Sequence, residues 1–279
     1  MSLRFAYNTN GAANHRLADA VAIIADAGYD GVALTLDHHH LDPMEEGWER
    51  RAEALARDLS ARKLSCVIET GARYLLDPRA KHEPTLLTPS ADGRDRRVAF
   101  LNRATDIGAI LGAEAVSFWA GVPRPGVERE QARTWLREGV ERVLAHAATS
   151  GVTAALEPEP GMLVETVDDW SALDLPGLTL ALDLGHLLVT GEREPAAAVR
   201  EFAPHLGTVA IEDMARGTHI HLPFGEGDMD IPACLGALEG IGFSRLVCVE
   251  LSRESHRADT MIPQSLQWLR ACRASAQAA

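Results

Sequence analysis

Three carboxylate residues stand directly after short apolar runs. Glu157 follows Ala-Ala-Leu, Asp183 follows Leu-Ala-Leu and Glu250 follows Val-Cys-Val. An ionised carboxylate at the end of a buried strand is costly unless a partner neutralises it. If the fold gathers the three, a divalent cation between them would remove their mutual repulsion. The alternative for each is an ion pair with an arginine or a helix cap.

Two histidines could add nitrogen ligands. His219 and His221 stand two apart in His-Ile-His-Leu-Pro-Phe-Gly-Glu-Gly. In an extended segment, residues two apart share a face. Carboxylate oxygens with one or two imidazoles suit Mn2+, Mg2+, Co2+ or Zn2+. We therefore expect a metal site formed by Glu157, Asp183, His219, His221 and Glu250, with a surface role as the alternative for either histidine.

The elements that must position these residues follow a repeated pattern of short apolar runs and longer amphipathic stretches. The strand-like runs are 4–8, 31–36, 64–69, 114–119, 153–157, 178–183, 206–211 and 245–251. The helix-like stretches are 14–27, 45–62, 92–111, 128–149, 166–173, 194–203, 230–240 and 260–274. Such alternation indicates parallel strands joined by crossover helices. Eight units in this length predict an α/β fold, a single (β/α)8 TIM barrel spanning residues 1–279.

A doubly wound open sheet is the alternative fold. It usually carries a glycine-rich phosphate loop after its first strand. Here the first strand runs into Asn-Thr-Asn-Gly-Ala-Ala-Asn at residues 8–14, which matches neither GxGxxG nor GxxxxGK[ST]. The sequence therefore favours the barrel.

In a barrel of this kind the active site lies at the carboxyl ends of the strands. We expect His186, three residues past Asp183, to bind substrate or relay a proton, with a structural role as the alternative. Glu69 and Trp119 also end strands, and we expect both to contact the substrate. For Trp119, burial in the core is the alternative. The His38-His39-His40 run reads as a loop without chemistry, and the long 70–91 connection as a lid or plain surface.

Composition and sequence pattern also disfavour several other classes of protein. The chain has 27 basic and 40 acidic residues, a net charge of −13, which disfavours a nucleic-acid partner. No apolar run approaches the ~18 residues of a membrane span. The residues after Met1 form a strand-like pattern and not a secretory segment. Four separated cysteines without a CxxC pair read as reduced thiols, so we expect a cytoplasmic protein.

The ordered set of these motifs resembles the xylose-isomerase-like superfamily, which includes sugar isomerases and epimerases, inosose dehydratases, hydroxypyruvate isomerase and endonuclease IV. The resemblance is carried by Glu157, the Asp183–His186 motif, the segment 221–227 and Glu250. It implies that Glu157, Asp183 and Glu250 are metal ligands. It also implies that Glu157 and Glu250 are the catalytic acid and base, that His186 binds a substrate hydroxyl, and that Arg216 contacts the far end of the substrate.

One position departs from this resemblance. The epimerases usually carry a fourth metal ligand, a histidine, on strand seven, three residues before the acidic residue that ends it, and Ala210 stands at that place here. The metal would then need His219 or His221. In endonuclease IV-like relatives, an Asp and a His at these two places bind zinc.

The expected function is a divalent-metal-dependent isomerase or epimerase. Its substrate would be a small polyol, sugar, ketose or cyclitol-like molecule, and proton transfer would pass through an enediolate. A related dehydratase, a non-catalytic barrel and an endonuclease IV-like phosphodiesterase are the alternatives. A homo-oligomer is possible.

Overall fold

The computed structural model describes residues 2–278, and within them ten strands are present. They are β1 (Arg4–Asn8), β2 (Gly31–Thr35), β3 (Ser65–Glu69), β4 (Val116–Trp119), β5 (Ala154–Glu157), β6 (Thr179–Asp183), β7 (Leu206–Ile211), β8 (Asp213–Ala215), β9 (Thr218–Leu222) and β10 (Leu246–Val249). Eight of them pair in parallel as a closed barrel in the order β1-β10-β7-β6-β5-β4-β3-β2. β8 and β9 form a separate antiparallel hairpin. The predicted (β/α)8 barrel is confirmed.

Helices follow the barrel strands and cover the outside of the sheet. They are α1 (Leu17–Ala27), α2 (Trp48–Arg62), α3 (Ala91–Leu111), α4 (Arg129–Ser150), α5 (Val167–Ser171), α6 (Leu184–Thr190), α7 (Pro195–Glu201), α8 (Ile231–Gly240) and α9 (Ala258–Ala278). Local sequence sets their ends. The Ser90 hydroxyl caps α3 by accepting from the Gly93 amide at 3.2 Å, and Gly112 ends the helix at a φ of 63°.

Two elements differ from the prediction. The segment 184–190, expected as a connection, forms α6, because the Asp183 carboxylate caps it: Oδ1 accepts from the amides of Gly185 at 2.8 Å and His186 at 3.1 Å. The segment after β7 folds back as the β8–β9 hairpin. Both elements are short, so their apolar periodicity is too brief to stand out in sequence.

Small side chains fill the inside of the barrel. Five buried residues from four adjacent strands form their own cluster there: Ala6, Ala33, Val67, Leu246 and Cys248. Side chains two positions further along a strand face the same side. Those positions are at the mouth and carry polar groups: Asn8, Thr35, Glu69 and Glu250. The alternation of side chains along the strands thus places an apolar layer inside the barrel and a layer of polar residues next to it, at the mouth.

The thiols of Cys66, Cys234 and Cys248 are buried and unbridged, in agreement with the sequence expectation. Among the residues that the structure describes, no helix combines the length and apolar character that crossing a membrane requires.

His40, in the loop after β2, gives the fold a pH dependence. Its side chain is buried, and Nε2–H donates to the His15 carbonyl at 2.9 Å. Burial lowers the pKa of His40 from 6.5 to about 4. The folded state therefore favours the neutral ring, and this stabilisation is complete above pH 6.5 and lost as the pH falls towards 4. Between pH 7 and 4.5 we expect His40 to account for a loss of about 2 to 3 kcal/mol.

Urea unfolding at pH 7 and at pH 4.5 gives the free energy of unfolding that each protein loses on acidification. The contribution of His40 is the difference between the losses of wild type and His40→Gln. His38→Gln is the matched control, because the His38 side chain is 74% exposed. If wild type and His40→Gln lose the same free energy of unfolding on acidification, the assignment is wrong.

Candidate active site

A cavity of about 680 Å³ opens at the carboxyl ends of the barrel strands, a volume that suits a small-molecule ligand. Side chains from β1 to β5, from α6, from the hairpin and from the segment after β10 line it. Among them are Asn8, Asn10, Thr35, Glu69, Arg73, Lys81, Ser117, Trp119, Glu157, Glu159, His186, His219, His221, Glu250 and Arg253. Seven residues predicted for the site therefore meet at one mouth: Glu69, Trp119, Glu157, His186, His219, His221 and Glu250.

Two other predicted residues are placed differently. Asp183 does not line the cavity but lies at its base, 2% exposed. Arg216 is not among the lining residues, and its exposed guanidinium pairs with Glu194 at 3.1 Å. The structure does not bring Arg216 to the other predicted residues, because it belongs to the turn of the β8–β9 hairpin.

The Glu250 carboxylate is oriented by the end of β1 and the segment that follows it. Asn8 Nδ2 donates to Oε2 at 3.3 Å, and Asn10 Nδ2 donates to Oε1 at 2.8 Å. Asn8 is itself fixed, since its Oδ1 accepts from the Thr35 hydroxyl at 2.8 Å and from the Asn10 amide at 3.0 Å. These contacts hold Glu250 at a defined place on the cavity wall.

Glu157, Glu159 and His186 form a cluster on another part of the wall. His186 Nδ1–H donates to the Pro158 carbonyl at 3.0 Å, which leaves Nε2 with the lone pair. Nε2 lies 3.7 Å from Glu159 Oε2 and 3.5 Å from Asp183 Oδ2. Burial and the neighbouring Glu159 raise the pKa of Glu157 well above its ordinary value. A cation nearby would offset this cost.

The β8–β9 hairpin brings His219 and His221 to the cavity on one strand. Their ring centroids are 5.6 Å apart, which confirms the shared face expected from their spacing. Burial and His186 lower the pKa of His219 to about 4. Burial alone would lower the pKa of His221, but Glu212 and the Glu250 and Asp183 carboxylates raise it to about 10.

Asp213 fastens the base of this hairpin. Its Oδ1 accepts from the amides of Met214 and Met229, both at 3.0 Å, and its Oδ2 accepts from the Gly225 amide at 2.9 Å. The segment from residue 213 to residue 229 is therefore tied to one buried carboxylate, and the Gly-Glu-Gly run of the sequence motif closes this loop.

A third cluster lies at the base of the cavity and includes a residue to which the sequence assigned no role. Ligand atoms of Asp183, Glu212 and His221 all lie within 4.8 Å of one another. Burial raises the pKa of Asp183, but His186 and His221 lower it more, and the net pKa is below the ordinary value. Burial and Asp183 raise the pKa of Glu212 well above its usual range.

The predicted ligands are thus divided among overlapping clusters. Two further groups within the same 4.8 Å limit are His186 with His219 and His221, and Glu157 with Glu159 and His186. Glu250 belongs to none of the clusters found among the described residues. Carboxylate and imidazole donors with unpartnered buried atoms fit a divalent cation, so these residues are suited to hold one.

Two predicted contact residues lie on β3 and β4, where Trp119 is the register partner of Glu157 on the neighbouring strand. Burial and the Glu250 carboxylate raise the pKa of Glu69 to about 8. Trp119 is 8% exposed, and the Arg97 guanidinium lies over its ring at 4.5 Å. Trp119 therefore combines a cavity face with core packing.

One acidic and imidazole cluster lies apart from these residues. Ligand atoms of Asp37, His38 and His39 approach within 4.8 Å, but Asp37 also pairs with Arg73 at 3.3 Å. The guanidinium already supplies positive charge there, so this cluster has less need of a cation.

Comparison with known proteins places this geometry in a family. A family model described as a xylose isomerase-like TIM barrel matches residues 21–272. The chain is 22% identical over 255 residues to the L-ribulose-5-phosphate 3-epimerase UlaE of Salmonella paratyphi C, covering 89% of this chain and 87% of that protein.

Two solved structures share the fold. An L-ribulose 3-epimerase structure superposes with a TM-score of 0.77 at 19% identity, covering 99% of this chain and 96% of that one. The IolI protein with a bound zinc atom superposes with a TM-score of 0.74 at 17% identity, covering 98% of both chains. The chain belongs to the xylose isomerase-like TIM-barrel family.

Proposed function

We propose that the protein is a divalent-metal-dependent isomerase or epimerase of a sugar, ketose or cyclitol-like substrate. The observation that carries this proposal is the placing of Glu157 and Glu250 on one cavity wall with two strands between them. Two carboxylates separated in this way can approach a substrate carbon from different sides. The two epimerase relatives and the zinc-containing IolI structure support the proposal.

The chemistry requires removal of a proton from a carbon next to a carbonyl. One of Glu157 and Glu250 takes this proton as general base, and the other returns a proton to the opposite face or to the neighbouring carbon. A bound divalent cation would act as a Lewis acid that stabilises the negative charge developed on the substrate oxygens. Asp183, His219 and His221, with the two glutamates, are the residues proposed to hold that cation.

The remaining wall residues orient the substrate. His186 Nε2 is free to meet a substrate hydroxyl, since its other nitrogen is engaged by the Pro158 carbonyl. Glu69 and Trp119 line the cavity from the adjacent strands β3 and β4, where a carboxyl group and an aromatic ring suit the hydroxyls and the C–H face of a sugar.

Solvent exchange tests the proposal directly. Purified protein is incubated with Mn2+ in D2O with each of ribulose, xylulose, tagatose and fructose and with the corresponding phosphates. We expect deuterium at the carbon next to the carbonyl of at least one ketose, together with the epimer or isomer, by NMR. Treatment with a chelator should abolish both signals, and Mn2+ should restore them.

Absence of exchange and of product from every ketose by metal-loaded protein would contradict the proposal. Appearance of an unsaturated carbonyl product would instead identify the dehydratase.

A further inference from the structure

The base of the cavity holds a group of buried polar atoms without partners. Glu212 is 0% exposed and Asp183 2% exposed, and the His221 side chain is 12% exposed. In the described part of the chain, no hydrogen-bond partner is found for Asp183 Oδ2, for either Glu212 oxygen or for His221 Nδ1. Buried polar groups almost always have a partner, and leaving one without costs about 1 to 3 kcal/mol. Four such atoms in one place form a donor set that a divalent cation would satisfy.

The spacing of these atoms suits a single small cation. Two ligands that each lie about 2.1 Å from one ion are at most about 4.2 Å apart. His221 Nδ1 and Glu212 Oε2 are 3.9 Å apart, and the ligand atoms of all three residues lie within 4.8 Å of one another. These separations are somewhat wider than those between ligands of one ion, so small side-chain movements would bring the three groups around it.

Among the described residues, imidazoles are the only basic side chains that pair with this group. Within residues 2–278, the ion pairs of Asp183 and Glu212 are with histidines alone, at 3.5 Å and 3.9 Å. Neither Lys nor Arg therefore neutralises either carboxylate at contact distance. The other Asp183 oxygen is already used, because it caps α6.

The neighbouring residues leave room for the Glu212 carboxylate. Gly185, at the start of α6, has no side chain, and a Cβ there would overlap Glu212 Oε1. On β7, Ala210 is two residues before Glu212 and shares its face, so its methyl group offers no ligand. The carboxylate of Glu212 reaches the base of the cavity from the end of the strand.

We propose that Glu212, together with Asp183 and His221, ligates the divalent cation, and that Glu212 supplies from β7 the ligand that Ala210 cannot. This inference rests on the proposed function, since it assigns the cation on which that function depends. It adds a ligand outside the set that the sequence indicated, and it places the ion at the base of the cavity next to β6 and β7.

Calorimetric titration of chelator-treated protein with Mn2+ tests the assignment without an activity measurement. We expect one site in wild type and a Kd raised at least about 30-fold in Glu212→Gln, because loss of a group that merely supports a ligand already costs 10- to 100-fold. Glu226→Gln is the control. It removes one carboxylate charge from an exposed residue outside the cavity, and its Kd should stay within about threefold of wild type.

A Kd for Glu212→Gln within threefold of wild type would overturn the inference. If that variant does not fold by circular dichroism, anomalous scattering from wild-type crystals grown with Mn2+ decides the question. A peak within about 2.4 Å of a Glu212 oxygen supports the assignment. A peak elsewhere in a protein that still exchanges deuterium overturns it and leaves the proposed function standing. Wild type that neither binds Mn2+ nor exchanges deuterium refutes both.

Discussion

Glu250→Gln is expected to lower kcat for the proposed epimerisation by at least about a thousandfold while the barrel remains folded. A positioned acid or base contributes about 10²- to 10⁴-fold, and an amide cannot take up the substrate proton. The change is nearly isosteric, and the Gln carbonyl can still accept from Asn10, which now donates to Glu250 Oε1 at 2.8 Å. Steady-state kinetics with Mn2+ and the substrate identified by solvent exchange measure the effect.

The variants of the two glutamates should also differ in which epimer still exchanges its proton with solvent. In a two-base reaction, each carboxylate exchanges the proton of one epimer. Glu250→Gln should therefore retain deuterium exchange with one epimer, and Glu157→Gln with the other, while neither interconverts them. Glu226→Gln, on an exposed residue outside the cavity, is the control and should keep wild-type kcat. A kcat for Glu250→Gln within tenfold of wild type would remove Glu250 from the chemistry.

Gly31→Ala is expected to destabilise the barrel by about 3 kcal/mol or more. Gly31 opens β2 and pairs with Ala6 of β1 and Ser65 of β3. A Cβ at this position would lie 2.7 Å from the Ser65 carbonyl oxygen and 2.6 Å from Leu246 Cδ1. The carbonyl belongs to the paired strand and cannot move away without breaking the sheet, so the strain is not relieved by a side-chain rotation.

Gly236→Ala is the matched control for this measurement. Gly236 lies within α8, and a Cβ there would meet nothing within 4 Å. Alanine should stabilise that helix by up to about 1 kcal/mol, because glycine is the poorer helix former. Urea unfolding of both variants gives the comparison. If the urea concentration at the unfolding midpoint is the same for Gly31→Ala and wild type, the barrel accommodates the methyl group.

The barrel itself follows from sequence because its strands are short, largely apolar runs, several of which end at or directly before a polar residue. Glu157 and Asp183 end their strands, and Glu250 follows β10 directly, so the alternation of side chains alone places them at the mouth. The spacing of His219 and His221 likewise predicts their shared face. These inferences need only local periodicity and the rule that parallel strands point the same way.

The remaining features depend on contacts between distant residues. Glu212 directly follows β7 as Glu250 follows β10, but its burial against Gly185 and Asp183 depends on packing. The pairing of Arg216 with Glu194 depends on where the hairpin turn lies, which no periodic pattern records. A signal for Glu212 was present nonetheless, since it stands two residues past Ala210, as Glu157 stands two past Ala155 and Asp183 two past Ala181.

The hairpin has a consequence for how the site is gained and lost. β8 and β9 pair with each other and not with the barrel strands, and they pack against α6, the helix that Asp183 caps. His219 and His221 both stand on β9, so any opening of this ribbon would withdraw both imidazoles together while the strands of the surrounding cylinder stay paired.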